Sequence, residues 1–184
     1  MKKLFVMAAM TIATPALAHS GGDHIHSIGA GLAHPLSGAD HIAAMVLVGI
    51  WAGLVGGARL WVWPATFVGA MILGGILGAS GIAVPWVETA IAVSVLALGI
   101  AVAGVVRLPI GIGAVLIALF GAAHGFAHGQ EASDTSFALY ALGFVAATAA
   151  LHALGVYGVR FMGTMVSRLL GAAGVVAGLA MVLA

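Results

Sequence analysis

His34-Pro35-Leu36-Ser37-Gly38-Ala39-Asp40-His41 sets two imidazoles and a carboxylate inside a segment, 29–55, that otherwise reads as lipid-soluble. An aspartate at membrane depth costs about 2.5–3.5 kcal/mol on insertion scales, so it faces a protein interior or a water-filled cavity and marks a functional site by default. The rest of the chain repeats the apolar part of that pattern. Of 184 residues, 63% are hydrophobic and 6% charged, whereas a soluble domain is about 25% charged. Such a surface cannot face water on all sides, and the chain reads as an all-α, polytopic membrane protein. A net charge of +1 leaves no basic surface for nucleic acid. With no cysteine, disulfides and thiolate metal sites are excluded, so any metal chemistry falls to His, Asp, Glu, Met or backbone oxygen.

Working outward, residues 1–18 carry Lys2 and Lys3, a short apolar run and Ala16-Leu17-Ala18, the layout of a cleaved signal peptide. The rival reading is an uncleaved anchor. Residues 19–28 then form a periplasmic tail with His19, His24 and His26, either a metal-capture arm or a solvated segment. Residues 29–184 form the membrane domain. Six apolar stretches of spanning length follow at 29–55, 60–79, 84–106, 109–128, 135–158 and 161–183, separated by glycine, proline and polar clusters. Arg59, Arg107 and Arg160 fall in alternate loops and Arg168 lies on the same side. The positive-inside rule therefore predicts an inner-membrane protein with both termini periplasmic.

Glycines spaced by four recur: Gly49/Gly53/Gly57, Gly74/Gly78, Gly121/Gly125/Gly129 and Gly174/Gly178. Small residues on one stripe let helices approach closely in lipid. They pack helices within the chain or build a homo-oligomer. An inverted repeat of three helices plus three is compatible with the topology, but similarity between the halves is too weak to establish it.

The second polar segment is Gly121-Ala122-Ala123-His124-Gly125-Phe126-Ala127-His128-Gly129-Gln130-Glu131. On a continuous helix His124, His128 and Glu131 share one face. His34 to His41 and His124 to Glu131 each span about 10.5 Å along a helix axis. Because the two helices run in opposite directions, His34 should lie near Glu131 and His41 near His124, with His128 between. The outer rung is thus His34 and Glu131; the inner is Asp40, His41, His124 and His128. Either two sites are stacked, or Pro35 and Gly38 break the first helix and draw His34 and His41 toward one ion. Imidazole with carboxylate suits Ni, Co, Zn or Fe and not a soft Cu(I) site. The bland alternative is that these side chains bond one another only to fix helix packing.

Other candidates carry less. His152 reads as a core histidine or an exit ligand, Glu88 as interfacial, Asp134 as a helix cap, Met45 as packing, and Trp51, Trp61, Trp63 and Trp86 as interfacial anchors.

His34-Pro35-x-x-Gly38-x-Asp40-His41 with His124-Gly125-x-Ala127-His128-Gly129-x-Glu131 resembles the HupE/UreJ family of bacterial nickel permeases, and the likeness covers the whole chain. One departure is Ala123, where many members carry an aromatic residue. The resemblance implies Ni²⁺ uptake for hydrogenase or urease, with His34, Asp40, His41, His124, His128 and Glu131 as the motif residues. Cobalt or zinc stays open, and no tightly bound cofactor is expected beyond the transported ion.

No G-x-x-x-x-G-K-[ST] loop occurs, so ATP drive within the chain is not expected. An inside-negative potential favours a divalent cation by about 4.6 kcal/mol per 100 mV, enough for facilitated diffusion. Imidazole binds metal when neutral, so uptake should weaken below about pH 6.5. The leading rival is a membrane-embedded metal hydrolase with Glu131 as general base. Ser37 is the only hydroxyl near the motifs to serve as its nucleophile.

Overall fold

The structure is a computed structural model that describes residues 28–131 and 137–184; of residues 131 and 137 only the backbone is described. The signal peptide, the tail histidines His19, His24 and His26, and the cap Asp134 lie outside the described residues. Every regular element among the described residues is helical. Helix α1 (Ile28–Ala33) leads through a 3₁₀ turn (His34–Leu36) into α2 (Ala39–Val55); α3 (Arg59–Gly78), α4 (Val87–Ala103), α5 (Ile110–Glu131) and α6 (Phe137–Leu183) follow.

Three helices have the length and apolarity of a membrane span, and the bent pair Ile28–Leu36 with Ala39–Val55 makes a fourth. Trp61, Leu73, Leu119, Leu142, Phe161 and Met165 are all more than 60% exposed on the outside of the bundle. A contiguous apolar exterior over apolar helices defines a membrane protein.

Local chemistry explains the breaks. The first segment bends by 85° between Leu36 and Ala39. Pro35 occupies the 3₁₀ turn and Gly38 caps α2 in an extended conformation. Helix α4 is 17 residues long, shorter than the 84–106 expected from hydropathy, because Pro85 disfavours helix at Val84 and the chain turns at Gly104-Val105. The expected break at Tyr157–Arg160 is a correction: those residues stay helical, and Arg160 lies over the Tyr157 ring. The helix breaks instead at Gly163, with φ 71 and ψ 174, a backbone that glycine adopts without steric cost. Without that break the helix would run about 70 Å, more than twice the bilayer core of about 30 Å. We call its limbs α6a (137–162) and α6b (164–183).

The bundle is assembled from three close helix pairs. In the first, Gly125 of α5 sits on the Met71 carbonyl of α3, and Gly74 of α3 on the Ala122 carbonyl of α5. In the second, Gly49 of α2 sits on the His152 carbonyl of α6a, and Gly155 of α6a on the Val46 carbonyl of α2. In the third, Gly99 of α4 meets Gly174 of α6b. A side chain at any of these positions would push the backbones apart, which is the packing role small residues have in lipid. Gly49, Gly74, Gly125 and Gly174 thus serve packing within the chain, one of the two uses their spacing allows.

These pairs obey an internal symmetry. One residue offset carries Val46 and Gly49 onto Ala122 and Gly125, and a second carries Met71 and Gly74 onto His152 and Gly155. Exchanging α2, α3 and α4 for α5, α6a and α6b leaves the pairing unchanged. Since α2 and α5 run antiparallel, with His34 beside His128 and His41 beside His124, the two halves are inverted. The repeat that the sequence left open is thus written in the packing.

Trp51 and Trp63 correct another expectation. They are 2% and 0% exposed, and their rings lie 4.3 Å apart in the core. Trp51 Nε1 donates to the Val106 carbonyl and Trp63 Nε1 to that of Ile110. A buried indole needs such an acceptor. Trp61 and Trp86 remain exposed, as interfacial anchors do.

Candidate metal site

The bend at Pro35–Gly38 lays the start of the first segment against α6a, where Gly31 packs on the Tyr140 carbonyl, and brings the His34 ring to His128 of α5. The result is a line of imidazoles. The His34 ring lies 4.7 Å from His128, His128 lies 4.3 Å from His41, and His41 lies 4.8 Å from His124. His128 stands between His34 and His41, so His34 meets a member of the expected inner rung, while its expected partner Glu131 has no described side chain. The two helix α5 members are the more buried: His128 is 7% and His124 0% exposed, while His34 and His41 are half-buried. The two histidine motifs form a ladder running from the surface into the bundle.

Two hydrogen bonds set which ring nitrogens keep a lone pair. His41 Nδ1 lies 2.9 Å from Asp40 Oδ1. Because an ionised carboxylate only accepts, the imidazole donates from Nδ1 and its Nε2 lone pair is left for a ligand. Nε2 is buried and has no hydrogen-bond partner among the described residues. Asp40 thus acts first as the residue that orients His41, the carboxylate–histidine arrangement common behind metal ligands. Gly38 makes room for it. A methyl group there would lie 2.7 Å from Asp40 Oδ1 and 2.8 Å from His41 Nδ1.

His124 is held in the opposite sense. Ser94 of α4 donates its hydroxyl proton to the Ile91 carbonyl at 2.7 Å and lies 2.9 Å from His124 Nε2. With its one proton directed at Ile91, Ser94 Oγ accepts from His124 Nε2–H. The lone pair of His124 is therefore on Nδ1, which is buried and unpartnered among the described residues. A lone hydroxyl in the apolar run of α4 gave no periodic signal, so Ser94 was not readable as part of a site.

Aromatic walls complete the surroundings. Phe144 lies 4.3 Å from His128, Tyr140 lies 5.5 Å from His34, and Phe67 lies 5.7 Å from His124. A cavity of about 40 Å³ beside His128 is lined by Met71, Gly125, Tyr140 and Phe144. That is space for a water or a small ion. Among the described residues no three His, Asp or Glu side chains converge as a closed metal centre does. The donors are instead arranged in neighbouring pairs. Glu131 ends α5 one turn beyond His128, and its side chain lies outside what is described. His152 is not in the ladder; it lies beyond Phe67, whose ring is 5.1 Å from it.

Fold and site together define a helical membrane protein with an imidazole ladder opening at one end of the bundle. The chain matches the HupE / UreJ protein family over residues 7–183 and belongs to that family. It is similar to Protein HupE of Rhizobium leguminosarum bv. viciae, at 45% identity with 92% of each chain covered. No solved structure matches it.

Proposed function

We propose that the chain is a permease for a divalent transition-metal ion, Ni²⁺ first among candidates, and that the ladder His34–His128–His41–His124 receives the ion. Six membrane crossings are counted by taking α1 with α2 as one, α3, α4 and α5 as three, and α6a and α6b as two. Arg59, Arg107, Arg160 and Arg168, read by the positive-inside rule, support a ladder on the outer side of the bacterial inner membrane with both termini periplasmic.

The observation that carries this reading is the run of four imidazoles in successive ring contact, two of which keep a buried nitrogen unpartnered among the described residues. His41 Nε2 and His124 Nδ1 are those two, each ring being held by a partner on its other nitrogen. A packing role would have joined them to each other or to the backbone, since buried polar atoms are almost always bonded. Donors offered two at a time suit a cargo that must bind and then leave. Asp40, with Glu131 beyond it in the second motif, supplies two negative charges to offset a divalent ion.

Flux into liposomes containing the purified chain tests the proposal. With an imposed inside-negative potential, Ni²⁺ should accumulate faster than without it, and His41→Ala should reduce the rate to that of empty liposomes. Stoichiometric binding with no flux at any potential would reject transport.

A further inference from the structure

His152 is 2% exposed, and neither ring nitrogen has a hydrogen-bond partner among the described residues. An imidazole carries one donor and one acceptor when neutral. Burying both unpaired is destabilising, and native structures avoid it unless the group serves something else. Its surroundings show what that is. One side of His152 meets Phe67, which is also in ring contact with His124. On another side it forms part of the wall of a cavity of about 480 Å³, which reaches Leu60, Trp61 and Tyr157 near the arginine-bearing loops. Thr148 stands one turn earlier on α6a and so shares a face with His152. The Thr148 hydroxyl donates to Met71 Sδ at 3.7 Å, and Met71 also lines the small cavity beside His128.

We propose that His152, with Thr148 and Met71, forms a second binding station for the transported divalent cation, separated from the ladder by Phe67. This rests on the permease reading. Imidazole, hydroxyl and thioether are donors that a borderline transition metal accepts. None carries charge, so the station holds the ion more weakly than the ladder with Asp40, as release requires. Phe67, edge-on to His152 and tilted against His124, closes the path between the stations until its ring turns aside. The large cavity then leads from His152 toward the opposite end of the bundle.

Calorimetric titration of the full chain in detergent with Ni²⁺ alone, paired with liposome flux, tests this. The wild type should show a tight and a weak class of site. His152→Phe should lose the weak class alone and slow flux at least tenfold, His41→Ala should lose the tight class alone, and His152→Gln, which keeps a donor, should restore part of the flux. A single class in the wild type, or a weak class unchanged in both His152 variants, overturns the second station. Two classes with no wild-type flux would keep the station and reject the permease, so the two failures are told apart.

Discussion

At one end of the bundle Tyr140 and Phe144 flank His128; at the other, the residues that the internal symmetry places in correspondence are Arg59 and Trp63, beside Ala52. The helix pairing around the two is the same, but the contents differ. The histidine end has a bent first segment, a small cavity and ring nitrogens left for a ligand. At the arginine end the donors have acceptors. Trp51 and Trp63 bond the carbonyls of Val106 and Ile110, Arg59 bonds Leu108 twice, and Arg168 bonds Ala103. Gly113 packs directly on the Trp63 indole. The histidine end keeps buried ring nitrogens for a ligand, whereas at the arginine end these donors are bonded to the chain itself and the space beside His152 is an apolar-walled cavity of about 480 Å³.

The comparison breaks first at His41. His41→Ala should abolish Ni²⁺ uptake in liposomes, while leaving thermal stability in detergent within about 1 kcal/mol of wild type, the scale of an ordinary substitution. At the other end Trp63→Ala should do the reverse. Removing a fully buried aromatic costs about 3–5 kcal/mol, visible as a lowered unfolding temperature, with the Ni²⁺ affinity of the ladder retained.

Smaller changes sharpen the contrast. Asp40→Ala and Ser94→Ala each release an imidazole from the partner that fixes its proton, and each should weaken Ni²⁺ binding about 10-fold or more by calorimetry. Wild-type affinity in Ser94→Ala would mean that the tautomer of His124 does not matter. Gly38→Ala should lower uptake severalfold without unfolding the bundle, because the methyl group meets the Asp40–His41 pair. Least of all for the metal, Gly163→Ala should leave binding unchanged, since nothing lies within 4 Å of the added carbon, while costing about 1–3 kcal/mol because φ 71 with ψ 174 is a conformation essentially reserved to glycine.

The same contrast explains what could be read from sequence. The helices, their apolar faces and the antiparallel register of the two histidine motifs follow from spacing alone, and His128 does stand between His34 and His41. Pro35 and Gly38 announced a possible break, but its 85° bend depends on α6a, against which α1 packs at Gly31. Trp51 and Trp63 were misplaced because an indole anchors at an interface or in a core alike, and only the loop carbonyls that accept its N–H decide which. The break at Gly163 was missed in favour of Tyr157–Arg160, since polar residues announce a turn more loudly than one glycine in a chain with 28. The inverted symmetry lies in backbone contacts between small residues, which sequence comparison of the halves does not register.

The central claim is that a transition-metal ion entering the histidine end is held by imidazole nitrogens of the ladder. X-ray absorption at the nickel edge, on the full chain carrying one equivalent of Ni²⁺, reads this directly. The account predicts the scattering signature of at least two imidazoles, diminished in His41→Ala. A spectrum of oxygen ligands only, identical in wild type and His41→Ala, would contradict it.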